Sequence, residues 1–166
     1  MNELEHLRGA DEVRIIMVCL GNICRSPAAE VVLRQRLHEA GLTHVTVDSA
    51  GTGGWHEGDG ANPRSIATWE RRGYEGEHRA RQFRHEWFAQ RDLILVMDDD
   101  NYETLVSRAP DTDAATRIHY LRAFDADAQD RIVPDPYYGT ESDFEHMLDL
   151  IERACDGLVA RLVELR

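Results

Sequence analysis

The sequence predicts an α/β fold built on a parallel sheet. Short, continuous apolar runs at 13–18 and 93–97 read as strands buried on both faces. Segments of helical period alternate with them. The chain closes on a long stretch with apolar residues at helical spacing. Strands alternating with helices imply crossover connections and hence a parallel sheet.

Each element has its own local reason. The run Val-Arg-Ile-Ile-Met-Val at 13–18 is the first strand. After Pro27 a helix extends to about Ala40, with Ala28, Val31, Val32 and Leu37 on one face and Gly41 as its stop. Residues 45–47 form a second short strand. Residues 48–60 are glycine-rich and read as loop. A helix over 63–72 has proline at its start and Gly73 after its end. Residues 93–97 and 117–121 are the third and fourth strands, with a helix over 102–108 between them. Residues 123–140 make a long connection holding two prolines, and loops of that length in compact domains are often functional. Ser142 and Glu145 form a capping box. Phe144, Met147, Leu148, Ile151, Cys155, Leu158, Val159 and Leu162 then recur at helical spacing, which makes Cys155 a core residue. One domain over 1–166 is expected, with 1–11 as a flexible polar N-terminus.

Composition excludes several classes of function. The chain has 166 residues, 42% of them apolar, enough for one core. No stretch approaches the roughly 18 apolar residues that cross a bilayer. The first residues lack the basic, apolar, small-residue order of a secretory leader. A cytoplasmic protein without membrane contact is expected, with export independent of a leader left open. The net charge is −12, which argues against nucleic acid as partner. A site for a small phosphate must therefore be made positive locally. All 19 basic residues are arginine, so chemistry that depends on lysine is excluded. Three cysteines, Cys19, Cys24 and Cys155, do not make a disulfide scaffold.

The first strand leads straight into Cys19-Leu20-Gly21-Asn22-Ile23-Cys24-Arg25-Ser26, then Pro27 and a helix. A loop running into a helix N-terminus can aim several backbone N–H groups inward as an anion cradle. Arg25 adds a planar fork that binds two phosphate oxygens. Gly21 can take backbone angles other residues resist, and Asn22 also tolerates the left-handed region. Helix dipole, N–H groups and Arg25 together favour a thiolate at Cys19, and Ser26 is near enough to donate to the sulfur. The expected chemistry is attack of sulfur on phosphorus, giving a phosphocysteine. The bland alternative is a strand-end core cysteine and a surface arginine, since Cys-x5-Arg alone arises by chance.

The string 18–30 resembles the signature of the low-molecular-weight protein tyrosine phosphatases. So do Asp48-Ser49-Ala50-Gly51-Thr52, Trp55, His78-Arg79-Ala80-Arg81-Gln82 and Asp135-Pro136-Tyr137-Tyr138-Gly139, in the family's order. Residues 50–56 and 142–145 look most like actinobacterial members. The resemblance implies a four-stranded parallel sheet flanked by helices on both faces, and no metal or organic cofactor. It also implies a phosphotyrosine-bearing protein as substrate, with bacterial tyrosine kinases among such partners. A monomer or weak dimer is expected.

A departing phenolate needs a proton. Asp135, stiffened between Pro134 and Pro136, is the best candidate, and the resemblance puts the general acid there; residues alone allow an ordinary Pro-Asp-Pro turn. Tyr137, Tyr138 and Trp55 are expected to line the substrate entrance, with plain packing as the alternative. Ser49 and His78 match family positions that brace the loop through Asn22. Cys24 is expected as a redox partner of Cys19, as in relatives with a second loop cysteine. The histidines show no ligand spacing, so no metal site is expected.

Three other functions compete. An arsenate reductase would need relay cysteines outside the loop, and only Cys155 is available. In protein-arginine phosphatases threonine tends to stand where Ile23 stands. A silent phosphate-binding module would have lost the nucleophile or the acid, and both are present.

Overall fold

A computed structural model describes residues 3–166. Val13–Cys19 is the first strand, β1, and continues through residues 20–24 into the helix α1, Arg25–Glu39. The strand β2, Val45–Gly51, pairs parallel with β1 over its whole length, from Val13 opposite Val45 to Cys19 opposite Gly51. The helix α2 is Pro63–Arg71 and the short helix α3 is Trp87–Gln90. The strand β3, Leu93–Val96, lies on the other side of β1. After it come α4, Asp99–Arg108, and α5, Thr112–Ala115. The strand β4, Ile118–Tyr120, closes the sheet and α6, Glu141–Leu165, ends the chain.

All pairings are parallel and the strand order is β2-β1-β3-β4. The connections leaving β1 and β3 diverge at their carboxyl ends, which is where open sheets of this kind bind ligands. The strands are buried on both faces, as their apolar runs require. Ile15 and Met17 of β1 face the larger core with α1, Trp69 of α2 and α6. Ile16 and Val18 face a smaller core with Phe83, Trp87, Phe88 and Leu105. Helices therefore cover both faces.

Several boundaries differ from the sequence reading. The N-terminal segment is not loose over its described part: Leu4 and Leu7 are buried in the larger core around a 3-10 turn, Glu5–Leu7. Two apolar side chains in a polar segment suffice to dock it; residues 1 and 2 lie outside the described residues. Residues 48–51, expected as loop, extend β2. Asp48 is tolerated there because Arg81 and Arg91 meet its carboxylate at 2.7 and 2.6 Å. The last helix starts before Ser142, and its capping box is Thr140 with Asp143. Asp98 caps α4 by accepting from the Asn101 N–H at 2.8 Å, so that helix starts at Asp99. The one-turn helices α3 and α5 are too short to leave a periodic signal.

Candidate active site

The loop of residues 19–25 joins the end of β1 to the start of α1. No side chain caps α1, so its first N–H groups are left for the loop. Asn22 holds the loop together. Its φ is 58°, the left-handed region that asparagine tolerates. Gly21 does not take positive φ; its lack of a side chain instead makes room for His56, whose Cδ2 would lie 3.1 Å from a Cβ there.

The Asn22 side chain is fully buried and satisfied on every side. Its Nδ2 donates to Ser26 Oγ at 2.8 Å and to Ser49 Oγ at 3.0 Å. Its Oδ1 accepts from the Arg81 N–H at 2.9 Å, and its carbonyl accepts from His78 Nε2 at 2.6 Å. Ser49 Oγ in turn donates to Glu30 Oε1 at 2.6 Å. These bonds give direction to Ser26. Its oxygen accepts from Asn22, and two groups lie within reach of its proton, Cys19 Sγ at 3.0 Å and the Ala50 carbonyl at 3.4 Å. Burial lowers the pKa of His78, so it holds the Asn22 carbonyl as a neutral imidazole donating from Nε2.

Gly51 of β2 is the floor on which the loop rests. A Cβ there would stand 2.6 Å from the Leu20 carbonyl oxygen and 3.0 Å from the Asn22 nitrogen. Thr52 and Gly53 donate their N–H groups to the Cys19 and Leu20 carbonyls, both at 2.9 Å.

Cys19 and Arg25 are each 3% exposed. Arg25 Nη1 donates to Asp98 Oδ2 at 2.6 Å and to the Val133 carbonyl at 3.1 Å, while Nη2 lies 3.7 Å from Asp135 Oδ2. Burial pulls the Arg25 pKa down, but Cys19, Asp98 and Asp135 outweigh it and raise it. Arg25 is thus a fixed cation in an acidic protein. Asp98 was not foreseen. One of its oxygens caps α4 and the other grips Arg25. The available signal was an acid directly after an apolar strand, blurred by Asp99 and Asp100 beside it.

Asp135 sits at the rim with its side chain 44% exposed, and its Oδ1 accepts from the Tyr137 N–H at 3.1 Å. Tyr137 and Tyr138 meet edge to face at 4.8 Å, and Tyr138 is 96% exposed. Trp55 is 73% exposed; its ring lies over Gly53, where a Cβ would come within 1.8 Å of Cζ3. Cys19 and Arg25 at the base and Trp55, His56, Asp135, Tyr137 and Tyr138 at the walls enclose one cavity of about 240 Å³. Every entrance residue expected from the sequence lines it, and Ser49 and His78 both reach Asn22. His56 is an addition that the sequence reading passed over.

Cys24 is buried and its pKa is pushed up to about 12, first by burial, then by Cys19 and Asp135. Cys155 is fully buried in α6. All three cysteines are free thiols.

A family profile described as low molecular weight phosphotyrosine protein phosphatase matches residues 14–165. The chain belongs to that family. A low molecular weight protein-tyrosine-phosphatase of Streptomyces coelicolor is 47% identical over 154 residues, covering 91% of this chain and 94% of that protein. Low molecular weight protein-tyrosine phosphatase A of Mycobacterium tuberculosis is 41% identical over 152 residues, covering 90% and 91%. A protein tyrosine phosphatase of Entamoeba histolytica, solved with Hepes in its active site, superposes with a TM-score of 0.89 at 38% identity, covering 92% and 98%. The phosphatase is therefore an enzyme with the family's fold, a four-stranded parallel sheet between helices. No helix among its described residues is long and apolar enough to cross a membrane.

Proposed function

We propose that this phosphatase hydrolyses phosphotyrosine on proteins through Cys19, with Asp135 as general acid and then general base. One observation carries the reading: Cys19, a cation held by Asp98, and Asp135 converge on a single cavity walled by aromatic rings. The Cys19 sulfur attacks phosphorus in line, and the bond to the phenolic oxygen breaks. Asp135 gives that oxygen its proton. The loop N–H groups and Arg25 stabilise the equatorial oxygens as charge spreads over them. Asp135, now a carboxylate, takes a proton from water as the water displaces sulfur from the phosphocysteine. Trp55, Tyr137 and Tyr138 flank the phenol.

Ile23, which lines the same cavity, has no hydroxyl to assist a phosphoramidate, and this supports tyrosine over arginine as the phosphorylated residue. Cys155, sealed in α6, cannot relay a disulfide, which counts against arsenate reduction. Free thiols fit a cytoplasmic setting. A tyrosine kinase as protein substrate rests on the family resemblance alone. Cys24, a thiol at neutral pH, is assigned as redox partner. Peroxide oxidises the Cys19 sulfur to a sulfenic acid, and Cys24 displaces water from it to form a disulfide. Peroxide-inactivated enzyme should regain activity with a thiol reductant, and Cys24→Ser should not.

Hydrolysis of aryl phosphates tests the main reading. Cys19→Ser should lower turnover by about 10⁴ or more while inorganic phosphate still binds. Asp135→Asn should lower kcat/KM by about 10²–10³ on phenyl phosphate and far less on 4-nitrophenyl phosphate, whose leaving group departs without a proton. Wild-type protein with no aryl phosphatase activity would refute the reading.

A further inference from the structure

Asp135 has little of its own to hold it. Among the described residues its carboxylate accepts from the Tyr137 N–H and makes a long approach of 3.7 Å to Arg25. Its neighbours on the N-terminal side are anchored through Val133, which donates to the Met97 carbonyl at 2.7 Å and accepts from Arg25 at 3.1 Å. On the C-terminal side, residues 136–139 form a turn closed by Gly139 N–H donating to the Pro136 carbonyl at 2.7 Å. That turn is gripped from outside by one side chain, Arg64.

Arg64 spans the distance between the two halves of the site. Its Nη2 donates to the Tyr137 carbonyl and its Nη1 to the Gly139 carbonyl, both at 2.7 Å. Its guanidinium lies 4.5 Å over the ring of Phe144, which is fully buried. At the other end, its own N–H donates to Asn62 Oδ1 at 2.8 Å, and the Asn62 N–H donates to the carbonyl of Ile23 in the phosphate loop at 2.8 Å. An unbroken route thus runs from Ile23 through Asn62 and Arg64 to the turn that follows Asp135. A cation in the first turn of α2 opposes the helix dipole, so apart from the Phe144 ring the helix gives no reason for the charge of Arg64. The two carbonyls do.

We infer that Arg64 is a positioning residue that sets the height of the Asp135 carboxyl above the Cys19 sulfur by clamping the turn 136–139 to the start of α2. The inference rests on Asp135 being the general acid. It follows that losing Arg64 weakens proton delivery and leaves the phosphate cradle alone, because the guanidinium gives its hydrogen bonds to the Tyr137 and Gly139 carbonyls and the Arg64 link to Ile23 runs through its main-chain N–H and Asn62. A misplacement of about 1 Å is enough to cost an order of magnitude or more in rate.

The test is kcat/KM on phenyl phosphate and on 4-nitrophenyl phosphate for the whole chain and its variants. Arg64→Met keeps a stem over Phe144 and removes both donors. It should lose roughly tenfold on phenyl phosphate and less than about twofold on 4-nitrophenyl phosphate. Inhibition by inorganic phosphate should be unchanged. Arg64→Lys, which can reach one carbonyl, should recover part of the loss, and it carries the test should Arg64→Met fail to fold. In an Asp135→Asn background, Arg64→Met should cost nothing more. An equal loss on both substrates, no loss on either, or additive losses in the double variant would overturn the inference and leave Asp135 as the acid. If Asp135→Asn itself shows no preference for the better leaving group, both readings fall together.

Discussion

The phosphate loop and the acid loop meet in one cavity, yet they are held in opposite ways. Residues 19–26 are bonded from within. Asn22 and Ser26 are fully buried, and the bonds of the loop run to β2, to His78 and to Arg81. Residues 134–139 stand largely in water and are held from without, through backbone carbonyls. The contrast follows from the two tasks. A cradle for a fixed trigonal group gains from donors that need no rearrangement as charge develops. In the proposed mechanism the Asp135 carboxyl first gives a proton and then takes one from water, so it has to remain in contact with water. Buried polar networks are costly when half satisfied, so damage to the first region should spread through it. Damage to the second should stay local.

The largest break in this contrast should come from Asp98→Asn. The amide can still cap α4, but it leaves a buried guanidinium without its nearest anion. A fall in kcat/KM of about 10²–10³ on every leaving group is expected, together with a loss of about 2–3 kcal/mol measured by denaturant unfolding. A loss restricted to poor leaving groups would mean that Arg25 serves the acid loop and not the cradle.

Asn22 sharpens the comparison. Asn22→Gly keeps the left-handed backbone and loses the side-chain bonds; Asn22→Ala loses both. Both should lower kcat/KM by about 10² regardless of leaving group, through a misdirected Ser26. Asn22→Ala should be less stable than Asn22→Gly by about 1 kcal/mol, the cost of φ 58° for an ordinary side chain. Equal stability would show that the bonds, not the backbone angle, decide the residue at this position.

The smallest effect is a slope with pH. The His78 pKa is lowered in the folded state, chiefly by burial. Above the ordinary histidine value of about 6.5 it is neutral in both states and contributes no slope. Below that value the unfolded chain takes up the proton first, so stability falls as pH drops toward the folded-state pKa. His78→Gln should flatten that part of the unfolding curve. An unchanged slope would remove His78 from the acid sensitivity of the loop.

Much of the cradle was legible in the sequence because it is local. Strand, loop and helix follow one another from Val13 to Pro27, and Cys19, Asn22, Arg25 and Ser26 carry the chemistry within that span. The proposed acid, Asp135, was legible only by resemblance, since Pro134-Asp135-Pro136 also makes a plain turn. Asp98 was missed because its partner lies 73 residues away and its neighbours are also aspartates. The last part of β2 was missed because Asp48 and Ser49 look like loop residues until Arg81, Arg91 and Asn22 are there to pair with them. The cap of α6 slipped by two positions because Thr140-x-x-Asp143 and Ser142-x-x-Glu145 overlap in one polar stretch.

One consequence of β1 reaches further than packing. Cys19 is the last residue of the strand and lies on the same face as Ile15 and Met17, so the direction of its sulfur is inherited from the pleat. A single residue inserted or deleted in β1 should turn Cys19, the proposed nucleophile, toward the opposite core and bring its neighbour to the mouth of the cradle. The strand can therefore accept an apolar side chain of similar volume at a modest cost, but its length cannot drift. If sulfur at Cys19 does the chemistry proposed above, the reading frame of a hydrophobic strand is part of the catalytic apparatus of this phosphatase.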